Sequence, residues 1–195
     1  MTVRELIGAI REDFRCNVFL KGKFIVCFYR LANYFTSGSK VKLIIGAPVI
    51  VLYIFVTEWL MGVEIHVKTQ IGKGFVVYHG VGLVINGYSK IGDFVTVRQG
   101  CCLGNKILAD GSLSGCPVIG DHVEFGANSI AIGEINIGDH VVIGAGSVVI
   151  KDCESGVSYA GVPAKKVKDI SKELISGEIN RIADNYVTYS SWFKE

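Results

Sequence analysis

The sequence has 195 residues, half of them hydrophobic, which is enough for one domain with a sizeable core and one or two attached segments. Twenty basic and 18 acidic residues nearly cancel, and no basic cluster is interleaved with aromatic residues, so nucleic acid is not an expected partner. The six cysteines form no Cys-x-x-Cys pair and no cleavable signal sequence precedes them. We therefore expect free thiols in a reducing compartment, the cytoplasm.

An N-terminal segment, residues 1–61, is predicted to be helical. Apolar residues recur at helical spacing from Leu6 to Phe14, and a second apolar-rich stretch runs from Phe24 to Phe35.

A third apolar stretch ends this segment, and Glu58 is the only charged residue between Leu43 and Val63. Its uninterrupted part, Leu43–Val56, is shorter than the roughly 20 residues that a bilayer span needs, and Gly46 and Pro48 interrupt its start. We therefore favour a buried helix, packed on the rest of the chain or on a neighbouring subunit, over a membrane span. A third interpretation is peripheral contact with an anionic membrane, such as the inner face of the cytoplasmic membrane, through nearby basic residues: Lys21, Lys23, Arg30, Lys40 and Lys42.

From about residue 62 an aliphatic residue returns at every sixth position, usually followed by glycine. The three series are Ile65, Ile71, Val77; Ile85, Ile91, Val97, Leu103; and Ile119, Phe125, Ala131, Ile137, Ile143, Val149. Hexapeptide repeats of this kind build a parallel β-helix, in which three hexads close one triangular coil and the aliphatic residues stack inside. We expect roughly four coils in a column about 20 Å tall, with capped ends and flat sides that favour self-association.

The period is interrupted twice. Val77 and Ile85 are eight residues apart instead of six, and Leu103 and Ile119 are sixteen apart, so about ten residues, Lys106–Gly115, are predicted to leave the coil as a loop. Function concentrates where a regular solenoid is broken.

The first interruption contains His79, followed by a glycine that allows close approach of a substrate. His122 and His140 each follow Gly-Asp at a corner, which predicts a solvated turn, and His66 is expected to point outward with no assigned role. We therefore take His79 as the catalytic candidate.

The period stops after about residue 160. Apolar spacing from Lys168 to Tyr189 predicts an amphipathic helix, within a C-terminal segment 168–195 that caps or packs against the solenoid.

Three ordered motifs, VEIHVKTQIGKGFVVYHGVGLVIN, IGAGSVV and YAGVPAKKV, resemble the hexapeptide-repeat acyltransferases of the serine acetyltransferase group over about Gly62–Val167. The chain is closer still to the colanic-acid and capsule acetyltransferases of that group, in Ala47–Tyr53, in the pair Glu64-Ile65 and in Cys116-Pro117. The resemblance implies a mainly β fold, a left-handed parallel β-helix over residues 62–167. It also implies a homotrimer with acetyl-CoA in a groove between subunits.

The resemblance also assigns site residues. It places the catalytic histidine at His79 and its orienting carboxylate at Glu64, where the serine enzymes have aspartate. The positions that line the pantetheine arm of the cosubstrate fall on small residues, Gly104, Ala127 and Ala145. A turn near the adenine end falls on 160–166, so that Lys165 or Lys166 would meet phosphate, although either could equally be a solvated surface lysine.

Two departures from the serine enzymes bear on the acceptor. Tyr78 stands where those enzymes have an aspartate, and Gly115-Cys116 stands before Pro117 where they have arginine and histidine. Those missing residues bind the ammonium and carboxylate of serine, so a free amino acid should bind poorly. Tyr78 and Cys116 are then expected to line the site of a different acceptor, a carbohydrate.

We therefore expect an O-acetyltransferase that acts on a sugar hydroxyl of a surface or capsular polysaccharide, or of its precursor, with no metal. The alternatives are a serine O-acetyltransferase of cysteine biosynthesis, a sugar N-acetyltransferase and a non-catalytic structural solenoid. A thiol at Cys116 offers a further alternative, an acetyl-enzyme, but the sequence places no base beside it.

Overall fold

The computed structural model describes residues 1–170. Helices α1 (Val3–Cys16), α2 (Leu20–Thr36) and α3 (Lys40–Ile54) come first, and α3 continues directly as a π-helical segment, Phe55–Leu60. Fifteen short strands follow: β1 Val63–Ile65, β2 Gln70–Ile71, β3 Val76–Val77, β4 Leu83–Ile85, β5 Lys90–Ile91, β6 Thr96–Val97, β7 Cys102–Gly104, β8 Val118–Ile119, β9 Glu124–Phe125, β10 Ile130–Ile132, β11 Asn136–Ile137, β12 Val142–Ile143, β13 Val148–Val149, β14 Val157–Gly161 and β15 Ala164–Asp169. The predicted N-terminal helices are thus confirmed.

Strands three apart in sequence pair in parallel, which makes a three-sided coil. Side A has the order β1-β4-β7-β10-β13, side B has β2-β5-β8-β11, and side C has β3-β6-β9-β12-β14 with β15 added antiparallel. The chain is therefore the left-handed parallel β-helix that the resemblance implied.

The six-residue period is the core of this coil. On side A the register stacks Ile65, Ile85, Leu103, Ala131 and Val149 in one column, each at most 2% exposed. Burial of a large aliphatic side chain contributes about 1.5–3 kcal/mol, so the stacked columns supply most of the stability of the solenoid.

The solenoid is longer than the roughly four coils predicted, because side A has five layers. Residues after Val149 continue the coil: Cys153 bridges to Ile137, and β14 pairs with β12. The hairpin of β14 and β15 then closes this end. Lys168 and Asp169 belong to β15, so the predicted C-terminal helix does not begin at Lys168, and its remainder from residue 171 lies outside the described residues.

Helix α1 begins with a capping box. The Thr2 hydroxyl accepts a hydrogen bond from the Glu5 backbone N–H (3.2 Å), and the Thr2 N–H donates to the Glu5 carboxylate (2.7 Å). This reciprocal pair satisfies two of the backbone donors that a helix start leaves open. The cap helps to fix where α1 begins.

The helices cover the open edge of the first coil, whose backbone groups have no strand beside them. Asp13 and Arg30 form a fully buried ion pair (2.7 Å). Arg30 also donates to the carbonyls of Ile71 and Gly72, and Asp13 accepts the N–H of Phe75 (3.0 Å). Unpaired backbone groups along an exposed strand edge favour pairing with the edge of another chain. The side chains of Asp13 and Arg30 bond to these groups and so prevent that pairing.

Other side chains complete the cap. The Asn17 amide donates to the Phe75 carbonyl (2.7 Å) and accepts from the Val77 N–H (3.0 Å). The hydroxyls of Tyr29 and Tyr53 donate to the carbonyls of Thr69 (2.5 Å) and Ile65 (2.7 Å). Over the described part of the chain, every buried side-chain nitrogen and oxygen has a hydrogen-bond partner.

Helix α3 is buried on one narrow face only, formed by Gly46, Tyr53 and Thr57. Packing of this helix on the rest of the chain is therefore limited to that narrow face. Packing on a neighbouring subunit and contact with a membrane stay predictions. By length and composition the continuous helix from Lys40 to Leu60, with a mean hydropathy of 2.1, could cross a membrane.

Substitution of Asp13 tests the cap. Asp13→Ala leaves the buried Arg30 guanidinium without its counter-ion and the Phe75 N–H without its acceptor, so we expect a loss of about 3–5 kcal/mol in the free energy of unfolding. The matched control is Glu12→Ala, because Glu12 pairs with exposed Arg15 on the surface and should contribute less than about 1 kcal/mol. Urea unfolding followed by circular dichroism measures both, and equal losses would contradict the assignment.

Candidate active site

The first interruption of the repeat is a two-residue insertion at the corner between sides C and A. Backbone hydrogen bonds between the first and second coils align Tyr78 with Arg98 and Val81 with Gln99. Arg98 and Gln99 are adjacent, whereas residues 79–80 separate Tyr78 from Val81. The inserted residues are therefore His79 and the glycine after it, and the insertion places the imidazole, which is exposed, outside the regular wall.

Aromatic side chains surround this histidine. The rings of His79 and Phe19 stack with centroids 6.0 Å apart, and Phe19 meets Tyr78 edge-on at 6.1 Å. The Arg98 guanidinium lies over the Tyr78 ring, 4.9 Å from its centroid. His79 thus stands beside a partly exposed aromatic surface, with no carboxylate at the position of Tyr78.

Phe19 is a site residue that the sequence did not reveal. It immediately precedes α2 and lies 60 positions before His79, outside the hexapeptide region, so no spacing connects the two. Its position follows from Asn17, whose amide is bonded to the backbone of β3 directly before the inserted corner.

The backbone at His79 is left-handed, with φ of 64°. Phe94, His122 and His140 have the same conformation at another corner of the coil, with φ of 55–56°. The conformation therefore belongs to the corners of this solenoid and is not by itself a sign of catalysis.

Glu64 lies in the middle of β1 with its side chain exposed on side A. Burial, followed by the charge of Glu64, raises the pKa of Glu58 and of Cys102. Within residues 1–170 no hydrogen bond or ion pair joins Glu64 to His79. The contact that the resemblance implies between these two residues stays a prediction.

Gly104 and Cys116 lie at the next corner, between sides A and B. Gly104 ends β7 and is buried, and a Cβ built there would lie 3.6 Å from Asn86 Cβ, an ordinary packing distance. The predicted loop Lys106–Gly115 does leave the coil, and a bridge between Ile107 and Leu113 shapes it. Cys116 is buried where the loop returns, and burial raises its pKa.

Ala127 and Ala145 lie at the corner of His79, farther along the solenoid axis. Backbone hydrogen bonds align Val81, Gln99, Ala127 and Ala145 on successive coils. With coils about 4.8 Å apart, the row from the first to the last is about 14 Å long. Small side chains at its far end leave a shallow path along the edge of the solenoid.

Lys165 and Lys166 end this row on the terminal hairpin and point to opposite faces of β15. Lys166 already pairs with Asp169 (2.7 Å) and Glu154 (3.4 Å), and its hydrogen bond to Asp169 raises its pKa. Lys165 is exposed and makes no ion pair within the described chain. Of the two predicted phosphate ligands, Lys165 has the more available charge.

The other three histidines have structural contacts, and two of them, His122 and His140, form a stacked ladder. His122 stacks on His140 (4.8 Å) and on Phe94 (5.0 Å) at the corner between sides B and C, and burial, followed by the charge of His140, lowers the pKa of His122. His66 accepts a hydrogen bond from the Lys68 N–H (3.1 Å) within its own turn. Among residues 1–170 no three histidine, cysteine or acidic side chains are grouped as a metal site would require.

One chain does not bring the two groups of candidate residues together. His79, Ala127 and Ala145 lie at one end of side A, whereas Gly104 and Cys116 lie at the other end. A strand segment of five or six residues separates these corners by roughly 15–20 Å. A site that uses both groups therefore needs a second subunit.

No protein-family model matches the chain. Among curated proteins, the putative colanic acid biosynthesis acetyltransferase WcaB of Escherichia coli K12 is 36% identical over 130 residues, which are 65% of this chain and 78% of WcaB. A serine acetyltransferase of Synechocystis is 38% identical over 128 residues, 66% of this chain but only 51% of that protein.

Solved structures agree in fold. The serine acetyltransferase of Neisseria gonorrhoeae matches with a TM-score of 0.73 at 25% identity, covering 88% of this chain and 69% of that one. A serine acetyltransferase solved in complex with CoA matches with a TM-score of 0.69 at 24% identity, covering 85% and 71%.

The thiol of Cys116 provides a test of direct transfer. Because burial raises the pKa of its thiol, Cys116 is not activated as a thiolate nucleophile, and we expect Cys116→Ser to keep at least about one third of the wild-type rate. When the enzyme is mixed with acetyl-CoA and the reaction is rapidly quenched, intact-mass analysis should show no acetylated enzyme. An acetyl group on Cys116, lost in Cys116→Ser together with activity, would show a covalent route.

Proposed function

Because the chain belongs to the hexapeptide-repeat acyltransferases of the serine acetyltransferase group and is an acetyltransferase with acetyl-CoA as cosubstrate, we propose that it acetylates a sugar hydroxyl of a surface or capsular polysaccharide or of its precursor. The observation that carries the proposal is the insertion at His79, which sets an exposed imidazole at the head of a row that ends in the small residues Ala127 and Ala145. A purely structural solenoid would need neither the inserted histidine nor this row.

His79 acts as general base in this proposal. Its imidazole accepts the proton of the acceptor hydroxyl while the oxygen attacks the thioester carbonyl, and then returns that proton to the departing sulfur of CoA. The new bond is an ester, and the broken bond is the thioester, so no further reactant is required. Glu64 holds the imidazole tautomer and stabilises the imidazolium, and a backbone amide near Gly104 stabilises the oxyanion.

The cosubstrate runs along the row from Val81 to Ala145. The pantetheine arm lies over Ala127 and Ala145, whose small side chains leave it room, and a phosphate meets Lys165 at the hairpin. Gly104 lines the arm from the neighbouring subunit, because it lies at the other corner of side A.

A homotrimer supplies that neighbour. The two groups of candidate residues sit at adjacent corners of a three-sided coil, so threefold association would set one corner of each subunit against the other corner of the next. Three equivalent grooves would result.

The acceptor is uncharged in this proposal. The serine enzymes resemble the chain in fold and chemistry, but here Tyr78 and Phe19 flank His79, and Cys116 stands before Pro117. The rings of Tyr78 and Phe19 carry no negative charge to neutralise the ammonium of serine. The thiol of Cys116 carries no positive charge to bind its carboxylate. Both places can instead contact the ring of a sugar. The relative WcaB is named for colanic acid biosynthesis, which supports a polysaccharide acceptor over serine. We place the enzyme in the cytoplasm, where acetyl-CoA is made.

Replacement of His79 is the first test. His79→Ala should lower kcat by about 100- to 10,000-fold, the usual contribution of a general base, with little change in the affinity for CoA. The matched control is His140→Ala, which removes a stacked histidine from the ladder and should leave kcat unchanged. Release of CoA thiol measures both, and equal rates for wild type and His79→Ala would refute the assignment.

Acceptor choice is the second test. With acetyl-CoA and a panel of soluble oligosaccharides and free serine, we expect transfer to a sugar at least about 100-fold faster than to serine. Mild base should remove the acetyl group from the product, because it cleaves esters and leaves amides intact. Rapid serine turnover would make the chain a serine O-acetyltransferase, and a base-stable product would make it an N-acetyltransferase.

A further inference from the structure

The outer face of α3 and its π-helical continuation is apolar and uncovered. Ile44 is 72% exposed, Val51 65% and Trp59 79%. All the residues of this outer face are apolar and exposed: Val41, Leu43, Ile44, Ile45, Ala47, Pro48, Val51, Leu52, Phe55, Trp59 and Leu60. Contiguous apolar surface of this kind marks an interaction site.

Helix α2 extends this outer face. Phe24, Phe28, Leu31 and Phe35 form one stripe of α2 at helical spacing, in which the rings of Phe24 and Phe28 are 5.5 Å apart. Phe28 packs on Tyr53 of α3 at 5.4 Å, and Phe24 and Leu31 remain partly exposed beside it. Two helices therefore present one continuous apolar surface.

Charge around this surface is mostly positive. The segment 14–63 contains six basic residues and a single acidic residue, Glu58. Arg30 is used inside the cap, while Lys40 is exposed at the start of α3, and Lys21 and Lys23 are half-buried at the start of α2. A second copy of the chain on this surface would set lysines against lysines, whereas anionic lipid headgroups complement them.

The helix is held along its length, which decides its orientation. Gly46 leaves no room between α3 and Phe35, since a Cβ there would lie 2.1 Å from that ring. Tyr53 is bonded to Ile65 of the solenoid (2.7 Å), and Thr57 is buried near the other end. A helix that packs on Phe35 near its start and is bonded to the solenoid through Tyr53 cannot enter a bilayer end-on, but it can lie in the plane of the interface with Trp59 at headgroup depth.

We infer that the outer face of α3, with the exposed rim of α2, docks in plane on the surface of an anionic lipid bilayer. The π-helical segment ends at Leu60, four residues before Glu64, and the Gly62 carbonyl accepts the N–H of Gly82 (2.7 Å) at the inserted corner. Docking therefore brings the bilayer next to the candidate site. A sugar linked to a membrane lipid would then be the class of acceptor. This last step rests on the proposed function.

Vesicle co-sedimentation tests the docking without reference to catalysis. We expect the full chain to bind vesicles of phosphatidylcholine with about 30% phosphatidylglycerol, to bind pure phosphatidylcholine more weakly, and to be released from the former by 0.5 M salt, where charges beyond about 4 Å are screened. The variant Ile44→Glu/Val51→Glu should lose at least about tenfold in partition, because two exposed aliphatic side chains that would enter the bilayer become charged. The control is Ile7→Glu on α1, which is 61% exposed but lies outside this surface, and it should bind as wild type.

The outcomes separate the two proposals. Wild-type protein that stays in the supernatant, or a double variant that binds as well as wild type, overturns the docking. A third result would also overturn the docking: wild type does not bind vesicles, and light scattering shows that the double variant forms smaller assemblies than wild type. The surface would then be covered by a second copy of the chain. Docking with no transfer to any sugar would refute the proposed function alone, and the double variant should keep wild-type transfer to a soluble acceptor.

Discussion

The side-chain amide of Asn17 links the two parts of the molecule on which its activity depends. It is 2% exposed and bonds to both the carbonyl of Phe75 and the N–H of Val77, on the open edge of the first coil. A buried strand edge without such partners would lose the hydrogen bonds of its backbone, at a cost of about 1–3 kcal/mol for each group. The same contact fixes Phe19 beside the inserted corner, so the cap that completes the solenoid also builds one wall of the candidate site.

The solenoid makes the insertion at His79 effective. Successive coils repeat the same corner in register, so a regular residue there either stacks inward or continues the flat wall. The two extra residues are accommodated at the corner, where His79 is exposed and Gly80 is buried against Val63 and Val77, while the coils before and after keep their pairing. The rigid column therefore supplies a fixed base for an exposed imidazole, and the row through Ala127 and Ala145 is aligned with it by the same repeat.

The sequence predicted the features that depend on local periodicity. The aliphatic period gave the three-sided coil, and its interruptions gave the projecting His79 and the loop Lys106–Gly115, because each follows from counting residues along one strand path. The last parallel strand of side C was missed because β14 follows Val149 without the strict period. Phe19 and the Asn17 amide were missed because they reach the site through tertiary packing across about 60 positions. The exposure of α3 was also missed, since an apolar run shows that a helix needs cover but does not show what provides it.

The central claim is that the displaced imidazole faces the reacting thioester in a groove between two subunits. A crystal structure of the assembled protein with bound CoA tests it most directly. The account predicts the CoA sulfur near hydrogen-bond reach of His79, within about 3.5 Å, and the pantetheine arm over Ala127 and Ala145 of the same subunit, with Gly104 of the next subunit opposite. A sulfur far from His79, or an arm that follows another corner of the solenoid, would contradict it.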